Sequence, residues 1–443
     1  MSPCFAQNLG DTWSRFDRFL ATFDPAGQHV RAPIEKKIPA LEFKGFLRQW
    51  TDVSLTKDQQ VGFRTKDFRF LQIQNLLETE LHYHLLPNLE ITNVDHFLYD
   101  GVYDWQDSEG LFAPRVTEEA RAYTSFDRIV RELFVSYRTY AFDLALGKQQ
   151  IAWGKMDGQF IDIVNPMDRR EYVQLETSDY EYRRLPTWMA NFTYFFGKNS
   201  LQLLYIPNFE QDRLPAPGSP WFPPSLPPLD RDLKDQLAGR APPTGDVVLD
   251  RRKPKLSHFE DHEYGARVDF SMEAVSWGLI YFYAWDDNPT PHVVDRELDD
   301  NGAARLVVQP RHERLHHLGV TADYATSFGG IAGMGSLPVV LRVEALYTPN
   351  VAFPDFARRA AAAESMLNSG VTERDTVRAA VAVELALPEK TTLLVQPSLY
   401  YTIDYRDSLG LGFGGAYLDE WNLVPVFYID RPFLFTSDRL RVS

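Results

Sequence analysis

Val377-Arg-Ala-Ala-Val381-Ala-Val-Glu384-Leu-Ala-Leu387 decides the fold. Val377, Ala379, Val381, Val383, Leu385 and Leu387 fall on one face, and Arg378, Ala380, Ala382, Glu384 and Ala386 on the other. Side chains of a strand alternate across the sheet, so one face is apolar and the other is wet or tightly filled. The pattern recurs outward from this stretch. In Tyr264 to Met272 the apolar set is Tyr264, Ala266, Val268, Phe270 and Met272, opposed by Glu263, Gly265, Arg267, Asp269 and Ser271. Val275, Trp277, Leu279, Tyr281, Tyr283 and Trp285 share the next apolar face, and Trp188, Ala190, Phe192, Tyr194 and Phe196 another. Leu393, Val395, Pro397, Leu399, Tyr401 and Ile403 form a third. Phe68 to His84 has a polar face of Gln72, Gln74, Glu78, Glu80, His82 and His84.

The gaps between such segments alternate short and long. Short turns fall near Pro87-Asn88, Gly197-Lys198, Glu273-Ala274 and Pro388-Glu389. Long connections span about 104–126, 154–184, 210–255, 286–311, 348–375 and 404–419. This parity is what an up-and-down antiparallel β-barrel threading a membrane requires, with short periplasmic turns and long extracellular loops. The spacing predicts fourteen strands, at 40–53, 67–85, 89–102, 127–140, 142–152, 186–196, 200–209, 261–273, 275–286, 313–326, 338–348, 375–387, 390–403 and 420–430. Sixteen result if Pro432 to Val442 or part of 154–184 also pairs. Trp277 and Trp285, eight residues apart, are about 26 Å apart along a strand, close to an apolar band of about 25 Å flanked by aromatic girdles. Trp188, Trp277, Trp285 and Tyr401 are therefore the girdle candidates. The alternative is a two-layer soluble β protein. Polar faces carrying both charge signs and apolar faces ending in Trp or Tyr favour the barrel.

Composition agrees with a barrel. The chain has 443 residues and a net charge of −15, which disfavours a nucleic-acid partner. Mean hydropathy is −0.31, as a barrel allows, because only alternate residues meet lipid. Cys4 is the single cysteine, so no disulfide framework or Cys-based metal site is expected. Residues 1–7 read as the remnant of a secretory signal peptide. Residues 8–37 read as a periplasmic segment, in which Trp13, Phe16, Leu20 and Phe23 suggest a short amphipathic helix or small plug. The barrel proper is expected over 38–443. Among the loops, 214–243 is Pro-rich and extended, 355–368 carries an Ala-rich helical signal, and a helix can start at Thr117.

The sharpest motif runs from Leu146 to Arg170: Gly147, Gln149, Trp153, Gly154, then Asp157-Gly158, then Val164-Asn165-Pro166-Met-Asp168-Arg169-Arg170. A strand breaks at Gly154, turns at Asp157-Gly158 and turns again at Asn165-Pro166. Arg169 and Arg170 are placed to bridge lumenal carboxylates. Loop 154–184 is thus expected to fold inward as a constriction or plug. A purely structural turn is the other reading.

This G-x-Q-x-x-x-W-G, D-G, V-N-P-x-D-x-R series resembles the bacterial outer-membrane proteins grouped as domain of unknown function 1302. The resemblance implies a Gram-negative outer-membrane barrel. It also implies association with inner-membrane efflux pumps of the resistance-nodulation-division type, and handling of hydrophobic compounds. The chain departs from many outer-membrane barrels in ending Leu440-Arg-Val-Ser443, with Phe433 and Phe435 several residues earlier.

His258 and His262, with Glu263, have the H-x-x-x-H spacing that brings ligands together on a helix, but this stretch enters a strand, and His312, His316 and His317 form another cluster; rim or lumenal histidines are expected at both, with no metal or cofactor. No G-x-S-x-G, Walker or Rossmann fingerprint occurs, and no haem-attachment C-x-x-C-H. The expected role is non-enzymatic: a channel or transporter embedded in outer-membrane lipid and lipopolysaccharide, passing small hydrophobic or amphipathic molecules. Its mixed-charge lumen would be set by Glu78, Glu80, His82, Arg267, Asp269, Arg342, Glu344, Arg378 and Glu384, with Trp153, Asp157, Asn165, Asp168, Arg169 and Arg170 at the constriction. Charges of both signs can create a transverse field or pair off to stiffen the wall. A scaffold sheathing a periplasmic partner, such as a pump component or multihaem cytochrome, is the first alternative, and an outer-membrane enzyme the second.

Overall fold

A computed structural model describes residues 32–53, 70–105, 126–156, 161–170, 180–213, 247–249, 254–298, 304–329, 336–365, 369–411, 416–432 and 441–442. Asp157, Gly158, residues 1–31, the Pro-rich loop, the helix start at Thr117, and Phe433 and Phe435 lie outside the described residues.

The strands are β1 (Leu41–Val53), β2 (Phe70–Leu86), β3 (Leu89–Asp100), β4 (Val130–Arg138), β5 (Phe142–Gln149), β6 (Thr187–Phe196) and β7 (Asn199–Ile206). The short β8 (Val247–Leu249) precedes β9 (Glu263–Met272) and β10 (Val275–Trp285). Then come β11 (Thr290–Leu298), β12 (Ala304–Arg311), β13 (Arg314–Phe328), β14 (Leu337–Pro354), β15 (Val371–Leu387) and β16 (Thr391–Thr402). The chain ends with β17 (Gly410–Leu411), β18 (Ala416–Tyr417), β19 (Trp421–Pro432) and β20 (Arg441–Val442). Fourteen of these build one transmembrane antiparallel barrel wall in chain order, β1 to β7, β9, β10, β13 to β16 and β19, with β20 adding a two-residue pairing to the end of β19. Each of the fourteen expected strands has its counterpart. Among the described residues no ladder joins β1 to β19 or β20; in hydrocarbon these two edges have only each other to satisfy their backbone groups.

Short turns gather at one end. Leu86 pairs with Leu89, Phe196 with Asn199, and Met272 with Val275. Gly197 adopts φ +66°, as a two-residue hairpin demands. The long-loop end is more ordered than the sequence suggests. β11 and β12 form an antiparallel hairpin extended by β8, in what reads as loop. The Ala-rich signal is a helix, Phe356–Ser365, started by Asp355, whose Oδ1 accepts from the backbone N–H groups of Ala357 and Arg358.

The alternation resolves as expected. Leu279, Tyr281, Leu318, Val320, Val343, Val381, Leu399 and Leu423 are exposed on the outside, as are Leu47 at 74% and Phe427 at 71%. An unbroken exposed apolar surface of this kind is the lipid-facing band of a membrane barrel. Near the short-turn end the outer face carries a chain of ring contacts, Tyr137–Phe142–Phe192 at 6.0 and 5.7 Å and Phe196–Phe270–Trp277 at 6.5 and 4.4 Å. At the opposite end Arg314 lies over the rings of Tyr283 and Trp285 at 4.6 and 4.0 Å, and Trp285 Nε1–H donates to the Asp261 carbonyl. Trp188 and Tyr401 are exposed there.

Gly147 shows what the wall cannot tolerate. Its φ is +140°, and a Cβ would sit 2.3 Å from the Leu133 carbonyl oxygen on β4. Gly147→Val is therefore expected to cost at least about 2 kcal/mol by strain and clash. The check is the fraction refolded in detergent, read from heat-modifiable electrophoretic mobility; wild-type refolding would refute the assignment.

Candidate functional site

β5 ends at Gln149, and the chain then turns into the barrel instead of crossing back as strand. Gln149 sets the exit. It is buried, its Nε2–H donates to the carbonyls of Ala145 and Met189, and its Oε1 accepts from Asn191 Nδ2 at 3.3 Å. Four residues on, Trp153 is only 1% exposed. Its indole N–H donates to Gln202 Oε1 at 2.8 Å, and its ring meets Phe282 edge-on at 5.8 Å. Gly265 makes room for it, since a Cβ there would stand 2.7 Å from the indole. A buried Trp needs both an apolar seat and an acceptor for its N–H, and the inner faces of β7, β9 and β10 supply all of these.

Around Trp153 lies an apolar core inside the barrel. Met156, Ile161 and Val164 pack with Leu204 and Ile206 of β7, Ile280, Phe282 and Ala284 of β10, Leu346 of β14, and Ala380 and Ala382 of β15. The inner wall is thus apolar at mid-height. The alanines at inward positions of β15 are small because the entering segment fills the space in front of them.

The return path is pinned by Asn165, 1% exposed. Its Oδ1 accepts from the Ile151 N–H at 2.6 Å, and its Nδ2 donates to the carbonyl of Leu185 at 3.0 Å. One side chain thereby ties the entering strand to the leaving one. Beyond it, Met167 pairs with Arg184 and Asp168 with Arg213 as isolated bridges, so this short segment is extended. Its side chains alternate between two spaces. Asp168 and Arg170 border a cavity of about 170 Å³, whereas Met167 and Arg169 border one of about 390 Å³.

The expected lumenal charges are mostly paired. Arg267 holds Asp269 with contacts of 2.8 to 3.0 Å and gives Nη1–H to the Trp153 carbonyl at 2.7 Å. Arg342 reaches Glu384 at 2.5 Å. Glu344 Oε1 accepts the Lys155 backbone N–H at 2.6 Å, and Lys155 Nζ contacts Asp323. Nearer the short-turn end, His96 lies 2.5 Å from Glu78, and His82 lies 2.6 Å from Glu80 and 3.2 Å from Glu90. Arg170 clamps Asp168 at 2.5 to 3.0 Å, Arg169 donates to Asp212 at 2.6 Å, and Arg184 contacts Asp162. Arg378 borders the larger cavity with Tyr400. Pairing therefore stiffens the wall and the inner segment.

The larger cavity is electrically polarised. Asp162, Asp212, Asp286 and Asp287 line it, as do Arg169, Arg378 and His317. Asp286 and Asp287 follow β10 at the long-loop end. Burial pushes the Asp286 carboxyl up to about 6, opposed by the backbone N–H of Asn288. Burial, together with Asp212, Glu263 and Asp286, holds Asp287 well above the ordinary carboxylate range. The sequence reading missed Asp212, Asp286 and Asp287, which sit in loops with no motif; only the fold brings them together.

Removing Asn165 tests how the segment is held. Asn165→Ala strands the Ile151 N–H and is expected to cost about 2 kcal/mol, and Trp153→Ala about 3 to 5 kcal/mol. Both should raise hydrogen exchange over 161–170 while the barrel keeps its heat-modifiable mobility. Unchanged exchange in both variants would show that neither side chain anchors the segment.

No curated protein sequence matches the chain. Solved structures similar to it include Pseudomonas aeruginosa OccK9 (OpdG), at 11% identity and TM-score 0.44, covering 90% of this chain and 80% of that one. The outer-membrane channel DcaP of Acinetobacter baumannii matches at 9% identity and TM-score 0.38, covering 89% and 87%. OmpF of Salmonella typhi, in complex with daunomycin, matches at 11% and 0.39, covering 86% and 82%. The model of the family described as protein of unknown function (DUF1302) matches residues 71–423, a span that includes the whole Gly147-to-Arg170 motif and twelve of the fourteen wall strands in whole or in greater part. The chain belongs to that family.

Proposed function

We propose that this protein is a Gram-negative outer-membrane transporter for small molecules, in which the segment from Ile151 to Arg170 is a displaceable plug. The observation that carries the reading is the two-part attachment of that segment. Its entry is fixed by an apolar core, and its exit by polar contacts: Asn165 to the Leu185 carbonyl, Arg169 to Asp212, and the Met167 N–H to Asp212 Oδ1 at 2.7 Å. Polar contacts to loop residues can exchange with water or a solute at modest cost, whereas the Trp153 core cannot. Opening would therefore swing the 165–170 limb while Trp153, Ile161 and Val164 stay seated.

The larger cavity is the vestibule in this scheme. An acidic side and the Arg169 and Arg378 side would orient a dipolar or amphipathic solute across it. Passage of hydrophobic compounds, and coupling to an efflux system of the resistance-nodulation-division type, rest on the family resemblance. A scaffold for a periplasmic partner is the competing role.

Single-channel recording in planar bilayers separates these. The intact chain should show rare, small openings, and deletion of residues 154–170 should raise steady conductance at least tenfold. Silence in both forms, with the barrel verified as folded, would overturn transport in favour of the scaffold.

The vestibule also predicts a pH effect on the deletion variant. Asp286, with its carboxyl raised to about 6, is negative above that pH and neutral below it. Preference for K⁺ over Cl⁻ should therefore fall as pH drops from 7 to 5, and Asp286→Asn should reduce that change. Invariant selectivity in the unsubstituted barrel would remove Asp286 from the conduction path.

A further inference from the structure

Four charged side chains of the larger cavity stand apart from the ion pairs that stiffen the rest of the lumen. Asp162 and Asp212, which border it, are engaged by Arg184 and Arg169. Asp286, Asp287, Asp419 and Arg378 border it too, and among the described residues none of the four takes part in an ion pair. Asp286 Oδ1 accepts the Asn288 N–H at 2.9 Å, and the Asp287 side chain has no hydrogen bond among the described residues. Arg378 lies over the Tyr400 ring at 5.9 Å. Asp286 feels the charge of Arg378 across this space, yet no contact joins them. Burial first, and neighbouring carboxylates second, lift Asp286 to about 6 and Asp287 well above the ordinary range. An ammonium group beside them would reverse that shift, because an opposite charge favours the ionised carboxylate.

The two poles belong to different parts of the fold. Asp286, Asp287 and Asp419 lie in connections at the long-loop end, whereas Arg378 and Tyr400 are inward positions of β15 and β16. Apolar surface completes the lining: Leu315 of β13, Val351 and Phe353 of β14, and Leu418 beyond β18. Small-molecule sites combine such walls with a few placed polar groups in about 300 to 1,000 Å³, and the volume of about 390 Å³ falls in that range. A cavity of about 150 Å³ accepts one benzene-sized ring, so this one has room for a ring together with a charged group at either pole. A ligand of one charge would satisfy one pole and leave the other as it is. A solute carrying an ammonium and a carboxylate satisfies both.

We infer that this vestibule is a binding site for an amino acid with an apolar side chain, its ammonium against Asp286 and Asp287, its carboxylate against Arg378 and its side chain among Leu315, Phe353 and Leu418. The inference rests on the vestibule of the transport reading and narrows its solute to one class, yet binding there does not require the barrel to conduct. Calorimetry on the full detergent-purified chain, its fold verified by heat-modifiable mobility, tests it with three probes of one shape: L-phenylalanine, phenethylamine, which lacks the carboxylate, and 3-phenylpropionate, which lacks the ammonium. One-to-one binding of phenylalanine is expected, with each truncated probe at least about tenfold weaker. Arg378→Gln should weaken phenylalanine about tenfold and leave phenethylamine unchanged. Asp287→Asn combined with Asp286→Asn should weaken phenylalanine and leave 3-phenylpropionate no weaker than before. No saturable phenylalanine binding to the folded chain, or phenylalanine affinity insensitive to these substitutions, would overturn the assignment. Phenethylamine as tight as phenylalanine would overturn it in favour of an organic-cation site, and 3-phenylpropionate as tight would overturn it in favour of a carboxylate site. Conductance of the 154–170 deletion, recorded separately, keeps failure of the site distinct from failure of the transport reading.

Discussion

Hydrocarbon offers no partner for a backbone N–H or C=O, and the rest of this molecule follows from that. Every wall strand must pair on both sides, which fixes an up-and-down sheet and forces side chains to alternate between lipid and lumen. The outside can then be only apolar, and chemical choice is confined to the inward set. Because that set is every second residue, a chain of negative mean hydropathy still builds a lipid-facing surface as continuous as the one from Leu47 to Phe427.

Among the described residues, what fills the lumen is decided by one excursion of the chain. The segment after β5 carries its own apolar anchor, Trp153, and finds an apolar seat on the inner faces of β7, β10, β14 and β15. The wall answers it residue by residue: Gly265 for the indole, Gln202 for its N–H, Arg267 for the Trp153 carbonyl, and Ala380 and Ala382 for the bulk of the segment. Such complementarity gives the motif from Gly147 to Arg170 a physical meaning. Gly147 permits close strand approach, Gln149 and Asn165 satisfy backbone groups at the breaks, and Asp168 with Arg170 closes the turn.

The inner segment also divides charge. Its extended stretch presents alternate residues to a polarised vestibule and to a basic, ring-lined cavity, while the acidic Glu78, Glu80, Glu90 and Glu132 border a third space of about 230 Å³ near the short-turn end. A solute moving along the axis would therefore meet regions of different sign rather than one uniform field. Since the formal charges are largely held in pairs, these differences are fixed by the wall and do not relax as the solute moves.

The sequence by itself determined the wall. Period-two alternation and the parity of gap lengths are local properties, so all fourteen strands, the short-turn end and the inward or outward face of residues such as Arg378 and Leu279 were legible. The Ala-rich helix at 356–365 was legible for the same reason. Only the tertiary structure decided the lumen. An alanine at 380 reads the same whether it faces water or a tryptophan, so the apolar waist was invisible along one strand. Asp212 lies far along the chain from the Asp286-Asp287 pair and none of them carries a motif, and the five arginines and one lysine of the basic cavity come from positions between 128 and 213 that share no spacing. Contacts of that kind exist only once the sheet curves and the inner segment folds back against it, because long-range juxtaposition is a property of the folded wall and not of any stretch of chain.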